Sequence, residues 1–308
     1  MKIYFDIPEI KTKSTVAIGT FDGVHLGHQE VLKYARNLSK KSHNSSIVFT
    51  FNDHPATSLK NKRPPFLLTT VTEKISLLEK QSLDICIIIP FTEGIAQLSP
   101  IEFIESILIN RLNASDICVG YDFHFGKKAM GSGETLKEFE NKYGYKTHII
   151  EPVKYNNEIV SSSKIRNLLI DGKINLANTL LTRNYSLKGR VITGQGIAKK
   201  ILGFPTANIQ VDDRKLIPAL GVYTCYVNIS NKYYKGVVNI GNRPTFGHSE
   251  LSIEVFILDF NKNIYDQVIE IELNSFLRPE KKFSDITELK SQINKDIKKT
   301  QQILATKV

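Results

Sequence analysis

Ser14-Thr15-Val16-Ala17-Ile18-Gly19-Thr20, running into Phe21-Asp22-Gly23-Val24-His25-Leu26-Gly27-His28-Gln29, is the stretch on which the fold of the first half turns. Residues 14–20 read as a buried strand and residues 28–41 as a helix, so the glycine-bearing segment between them closes a strand and opens a helix. Its glycines let backbone approach a ligand closely. Helix-end amides and the macrodipole favour an anion at that point. His25 and His28 are three residues apart and share a face once the first turn has begun. Two imidazoles there can donate to phosphate oxygens and stabilise charge that builds during phosphoryl or nucleotidyl transfer. In the plainer alternative, one histidine caps the helix and the other faces solvent.

Outward from this stretch the pattern repeats. Residues 46–51, 84–89, 115–120 and 146–150 read as strands, and 71–81, 101–112 and 133–143 as helices between them. Thr70 with Glu73 supplies a capping signal, and Ser99-Pro100 opens the next helix. Such alternation predicts βαβ units, a parallel sheet, and ligands at the carboxyl ends of its strands. Residues 161–170 and 174–181 continue as helices. Strands then dominate, at 185–193, 221–229, 232–239, 251–259 and 264–273. Turn residues at Ser230-Asn231 and at Asn261-Lys262-Asn263 predict hairpins. The second half is therefore expected to be a small antiparallel barrel or sandwich, with an amphipathic helix over 285–304 covering one side. The expected domains are 1–183 and 184–308.

The chain has 308 residues and a net charge of +10, which permits anionic partners without choosing among them. The excess lies in separated pairs such as Lys127-Lys128 and Lys298-Lys299, and no aromatic-basic platform accompanies it, which argues against nucleic acid. No apolar run approaches the ~20 residues of a membrane span. Acidic Asp6 and Glu9 and the lack of an apolar signal core argue against export and for the cytoplasm. Cys86, Cys118 and Cys225 are odd in number and lack CxxC spacing, which speaks against disulfides and a structural zinc site. No GxxxxGK[ST] loop, GxGxxG fingerprint or HExxH occurs, which disfavours P-loop kinases, ordinary dinucleotide dehydrogenases and zincins.

Three further groups carry chemistry. Ser161-Ser162-Ser163-Lys164-Ile165-Arg166 starts a helix whose hydroxyls can cap it, while Arg166 can grip a phosphate or simply face solvent. In Gly203-Phe204-Pro205-Thr206-Ala207-Asn208-Ile209, Thr206 and Asn208 can point oxygens to one side of an extended segment, as Mg²⁺ accepts, or the run is a turn. Glu254 interrupts an apolar strand and shares a face with Ser252, Phe256 and Leu258, so it lies either at a wet sheet edge or in a pocket.

The run 19–29 is similar to the HxGH signature of nucleotidylyltransferases. With Thr50-Phe51-Asn52-Asp53-His54-Pro55, Leu68-Thr69-Thr70, residues 98–103, 119–126 and Ser161 to Arg166, the first half resembles the adenylyltransferase module of bacterial bifunctional riboflavin kinase/FAD synthetases. That resemblance implies a Rossmann-like nucleotidylyltransferase domain moving AMP from ATP to FMN, giving FAD and pyrophosphate. Gly19, Phe21, Asp22, Gly23, His25 and His28 would bind ATP, with Ser162 and Arg166 holding its triphosphate. Asp122 would lie near the phosphates or metal, and His54, Asp122 and Phe125 at the flavin. Asp122 stands where some members have Asn.

The second half resembles the riboflavin kinases through 203–209 (GFPTANI), Gly221-Val222-Tyr223, residues 239–246, 254–260 and Phe276-Leu277-Arg278-Pro279-Glu280. The resemblance implies a six-stranded Greek-key barrel with a C-terminal helix. Thr206 and Asn208 would bind Mg²⁺ and ATP phosphates, and Glu254 would be the general base for the riboflavin 5′-hydroxyl. Gly194 to Gly203 would form a phosphate flap, and Asn239 and Arg278 would complete the ATP and flavin site. Ala198 departs from the flap's glycine pattern. The expected activity is thus riboflavin to FMN and FMN to FAD. The alternatives are a regulatory flavin-binding paralogue acting on RNA or protein, and an enzyme that keeps one activity.

Overall fold

The computed structural model describes residues 1–52, 66–193, 206–245 and 248–305. By packing the chain divides into two units, Met1–Ser162 and Ser163–Val308.

The first unit contains β1 (Lys2–Tyr4), β2 (Ser14–Ile18), α1 (Leu26–Ser42), β3 (Ser45–Phe51), α2 (Val71–Glu79), β4 (Ile85–Ile89), α3 (Glu93–Gln97), α4 (Pro100–Glu102) and β5 (Ala114–Gly120). After them come β6 (His124–Phe125), β7 (Gly131–Ser132), α5 (Gly133–Glu138), α6 (Glu140–Tyr143), β8 (Lys146–Ile150), β9 (Lys154–Tyr155) and β10 (Glu158–Ile159). The main sheet is parallel, in the order β1-β4-β3-β2-β5-β8. Alternation along β2 sends Val16 and Ile18 into one apolar cluster and Ala17 into another, so both faces of the sheet are covered. Strands β2, β3 and β4 step one way and β5 and β8 the other. The order therefore reverses between β2 and β5, where an open α/β sheet leaves its crevice.

Three local features depart from the sequence reading. Edge strand β1 pairs with β4 in a segment that carries no strand signal. The helix expected over 101–112 becomes α4 followed by a π-helical stretch, Phe103–Ile109, whose wider turns bury Phe103, Ile104, Ile107 and Leu108 together. The helix expected over 133–143 breaks at Phe139 (φ −97°, ψ 1°) into α5 and α6.

The second unit contains α7 (Ser162–Ile170), which begins on the last residue of the first, and α8 (Ile174–Leu181). Then come β11 (Tyr185–Ile192), β12 (Thr206–Val211), β13 (Gly221–Ile229), β14 (Lys232–Thr245), β15 (His248–Ile257), β16 (Val268–Arg278) and α9 (Ile286–Ala305). The six strands close into a barrel, in the order β11-β12-β15-β14-β13-β16. β13, β14 and β15 form a meander and β16 returns beside β13, which is a Greek key. Tyr223, Cys225, Val227, Val238, Ile240, Ile253, Val255 and Ile271 fill the interior. Ser230 and Asn231 both take positive φ (49° and 64°), as a two-residue hairpin turn requires, and join β13 to β14. The hairpin expected at Asn261-Lys262-Asn263 does not form. β16 closes the barrel between β13 and β11 instead of pairing with β15, because it must supply both remaining edges. α9 packs against β13 and β14 and buries Asp296, Thr300 and Leu304.

Candidate functional sites

The turn after β2 is held from several sides. Phe21, Gly23 and Val24 have positive φ (46°, 86° and 40°), so the chain doubles back between strand and helix. Two of these three residues are not glycine, and such backbone strain persists only where the surroundings hold it. Here they do. The Thr20 carbonyl accepts from Lys74 Nζ (2.9 Å) and Thr50 Oγ1 (3.0 Å). The buried Asp22 carboxylate accepts from the Leu68 and Thr69 amides (both 3.0 Å) and from Thr69 Oγ1 (3.1 Å). The Asp22 carbonyl accepts from Ser162 Oγ at 2.9 Å. Asp22 thus ties the turn to 68–69 and, through its backbone, to the first residue of α7.

Buried His25 caps α1, with Nδ1 accepting the His28 amide at 3.4 Å. An accepting Nδ1 places the proton of the neutral ring on Nε2. The His28 ring stacks on it (centroids 3.6 Å apart, planes 19° apart) and meets the Phe21 edge at 5.4 Å. The two imidazoles therefore share one surface at the amino end of a 17-residue helix. Gly27 leaves room for this, since a Cβ there would sit 3.3 Å from His25 Cε1. Gly19 likewise faces the Phe21 ring, which a Cβ would approach to 3.1 Å.

Across the reversal point, exposed Asp122 follows β5, and its carbonyl is 2.9 Å from His124 Nδ1. Phe125 is buried in the apolar cluster, tilted against Phe103 (5.4 Å) and stacked with Phe123 (5.5 Å). Arg166 is buried in α7, four residues after Ser162 and so on the same side of that helix. Buried Lys74 escaped the sequence reading as a structural cation. It occupies an apolar position of α2 with Val71, Ile75 and Leu78, and a lysine in such a stripe is the signal that marks it.

In the second unit the register assembles the site. Thr206 pairs with Phe256 and Asn208 with Glu254, while Glu254 also pairs with Asn239 across β14. Asn208, Glu254 and Asn239 thus form one row over three adjacent strands, and side chains in such a row share a face. That face is the barrel's outside, because Ile253, Val255 and Ile257 point inward. β15 lies between β12 and β14, so Glu254 is not at a sheet edge, and an asparagine neighbours it on each side. Thr206 and Asn208, two apart on β12, present a hydroxyl and an amide oxygen to the same side, and Asn208 is buried. The row continues through Val222 to Arg278. The Arg278 guanidinium turns to Asp296 of α9, with Nε and Nη2 donating to Oδ2 at 3.0 and 2.8 Å. His54, Gly194 and Gly203 lie outside the described residues.

A parallel sheet that reverses beside an HxGH turn, followed on one chain by a closed barrel with a carboxylate between two amides, defines a two-unit phosphate-transfer enzyme. A model of the FAD synthetase family matches residues 7–164, and one of the riboflavin kinase family matches 181–304. Over 95% of its length the chain is 41% identical to the bifunctional riboflavin kinase/FMN adenylyltransferase of Buchnera aphidicola from Schizaphis graminum, covering 94% of that protein. It is 38% identical to the protein of that name from Bacillus subtilis, over 94% of this chain and 92% of the relative. A crystal structure from Streptococcus pneumoniae, described as a macrolide-efflux protein, superposes with a TM-score of 0.89 at 29% identity, over 97% of this chain and 98% of that one. Among the described residues no helix is long and apolar enough to cross a membrane. The chain belongs to the bifunctional riboflavin kinase/FMN adenylyltransferase family.

Proposed function

We propose that the two reactions of this family, riboflavin to FMN and FMN to FAD, run at two separate sites of the chain, each consuming ATP. Adenylyl transfer is assigned to 1–183 and phosphorylation to 184–308. The row Asn208–Glu254–Asn239 carries this reading, because it sets a carboxylate between two asparagines on neighbouring strands, in the apolar half of β15. A neutral alcohol is a poor nucleophile, so Glu254 takes the proton of the riboflavin 5′-hydroxyl as its oxygen attacks the γ-phosphorus and ADP leaves. Asn208 and Asn239 hold the carboxylate and the reacting hydroxyl in place. Thr206 and Asn208 offer two uncharged oxygens on one side, a donor set that suits Mg²⁺ when phosphates complete its shell. Bound there, the ion would neutralise phosphate charge.

In the first unit the FMN phosphate is already ionised and needs no base. It attacks the α-phosphorus of ATP in line and pyrophosphate leaves, with positioning and charge neutralisation supplying the rate. His25, through Nε2–H, and His28 donate to phosphate oxygens at the end of α1. Ser162, whose hydroxyl already bonds the turn, holds the triphosphate beside them, and Asp22 fixes the turn. Asp122 stands beside the phosphates, and His54 and Phe125 complete the flavin side. Three free buried cysteines suit a reducing compartment such as the cytoplasm.

The test is direct. Pure protein with riboflavin, ATP and Mg²⁺ is expected to yield FMN and then FAD by chromatography. Glu254→Gln is expected to make no FMN yet still convert added FMN to FAD. Loss of both steps together would overturn the two-site assignment.

A further inference from the structure

Beyond the strand row, the kinase face holds a second carboxylate. Gly241 lies two residues beyond Asn239 on the same side of β14 and pairs with Ser252 of β15. A Cβ at Gly241 would overlap the Glu280 carboxylate and stand 3.1 Å from Asn239 Nδ2. Glu280 thus fills the space that the missing side chain leaves, and the same slot is bordered by the amide that neighbours Glu254. Directly opposed side chains stand roughly 5 Å apart and alternate residues of a strand roughly 7 Å. That places the Glu280 carboxylate two to three carbons' reach along a polyol from a hydroxyl held at Glu254.

The chain around Glu280 is fixed from α9. Arg278 occupies the end of the row opposite Val222, and its guanidinium is held by Asp296, which is only 5% exposed. Gln292 Nε2 donates to the other Asp296 oxygen at 2.9 Å. Arg278 Nη1 donates to the Pro279 carbonyl at 3.1 Å, which clamps the residue just before Glu280. Further on, Lys281 Nζ is 2.6 Å from Glu288, whose oxygens also accept from the Ser284 amide and hydroxyl. A carboxylate on a segment tied at both ends to one helix is poised for its ligand before that ligand arrives.

We propose that Glu280 is a substrate-contacting residue of the kinase site, accepting hydrogen bonds from the inner ribityl hydroxyls of riboflavin, and that Asp296 is a positioning residue acting on it through Arg278. This rests on the assignment of Glu254 as the base. Two carboxylates spaced along one face then have separate tasks: one takes a proton from the terminal hydroxyl, and the other reads the chain behind it. An alcohol chain lacking those hydroxyls would leave Glu280 desolvated and unsatisfied, which makes the contact a source of specificity.

Steady-state kinase assays on the full chain test this, with riboflavin and with an analogue lacking the 2′- and 3′-hydroxyls. Glu280→Gln is expected to raise the riboflavin KM about tenfold, the size of a lost charge-assisted hydrogen bond, with the ATP KM and FMN adenylylation unchanged. The preference for riboflavin over the deoxy analogue should shrink by the same factor. Asp296→Asn should raise the riboflavin KM as well, Asp296→Glu should partly restore it, and the double variant with Glu280→Gln should be no worse than Glu280→Gln alone. An unchanged riboflavin KM in Glu280→Gln, or undiminished discrimination against the analogue, overturns the role of Glu280. Additive effects in the double variant overturn that of Asp296. If Glu254→Gln still makes FMN, the underlying site assignment fails. If it is dead while Glu280→Gln behaves as wild type, only the present inference fails.

Discussion

In the first unit the turn that carries His25 and His28 lies beyond the end of a strand and is held in place by residues distant in sequence. In the second, Thr206, Asn208, Glu254 and Asn239 stand within strands and are aligned by the ladder itself. The first arrangement needs helpers: Thr50, Thr69, Lys74 and Ser162 all bond to the turn 20–23. The second needs only correct register, since a slip by one residue would turn Glu254 into the barrel interior. Nucleotide chemistry on a parallel sheet therefore depends on loop anchoring, and the barrel chemistry depends on pairing.

The sharpest way to break this contrast is Glu254→Gln. Loss of a positioned base is expected to lower FMN formation by about 10²–10⁴, with adenylylation of supplied FMN and the barrel's unfolding midpoint unchanged. Liquid chromatography of the flavins against time reads both steps. Next in size, His28→Ala is expected to slow adenylylation about 10²-fold or more, as when one donor to a developing charge is removed, and to spare the kinase. A parallel fall in both rates would erase the distinction between the sites. Asp22→Ala tests the anchoring itself. It strips three hydrogen bonds from a buried network and should cost the first unit about 2–3 kcal/mol, measured by denaturant unfolding. Adenylylation should drop with it, because the strained turn loses its hold on 68–69.

The same contrast explains what was legible in the sequence. Period-two and glycine signals disclosed the parallel sheet, the barrel and the site turn, because those depend on local pattern. The partner of Asp22 was not legible, since Leu68 and Thr69 lie some 46 residues away and meet it only in the folded sheet. Lys74 was readable only as an anomaly in an apolar stripe. Thr206–Val211 could be read as turn or strand, and pairing with both β11 and β15 decides for strand over local preference. The false hairpin at 261–263 shows the limit most clearly. Its turn residues are real, and Asp259 and Asp266 do take positive φ, yet barrel closure sends the next strand elsewhere. Arg278 read as a ligand residue, whereas the pair with Asp296 depends on where α9 docks, which periodicity does not reveal.

The smallest expected effect compares how the two units use cysteine. Cys86 of β4 and Cys118 of β5 lie on one face of the parallel sheet and Cys225 in the barrel, all buried and free. Burial pushes the Cys86 thiol up to about 12, with the Lys74 cation opposing it, and burial raises Cys118 and Cys225 too. A folded-state pKa above the unfolded one means the native state holds the proton longer. The thiols' contribution to stability is therefore complete below about pH 8.5, the free-thiol value, and is lost as pH rises toward the folded values. Unfolding midpoints should stay flat from pH 7 to 8.5 and decline above it. Cys225→Ala should lessen the decline in the barrel alone, and Cys86→Ala in the sheet alone. Native protein at pH 8 should resist a thiol alkylator that labels all three sites once denaturant is added. If Cys86 were labelled in the native state, the sheet beside the anchored turn would be opening on its own, and the first unit would lack the fixed support that its site requires.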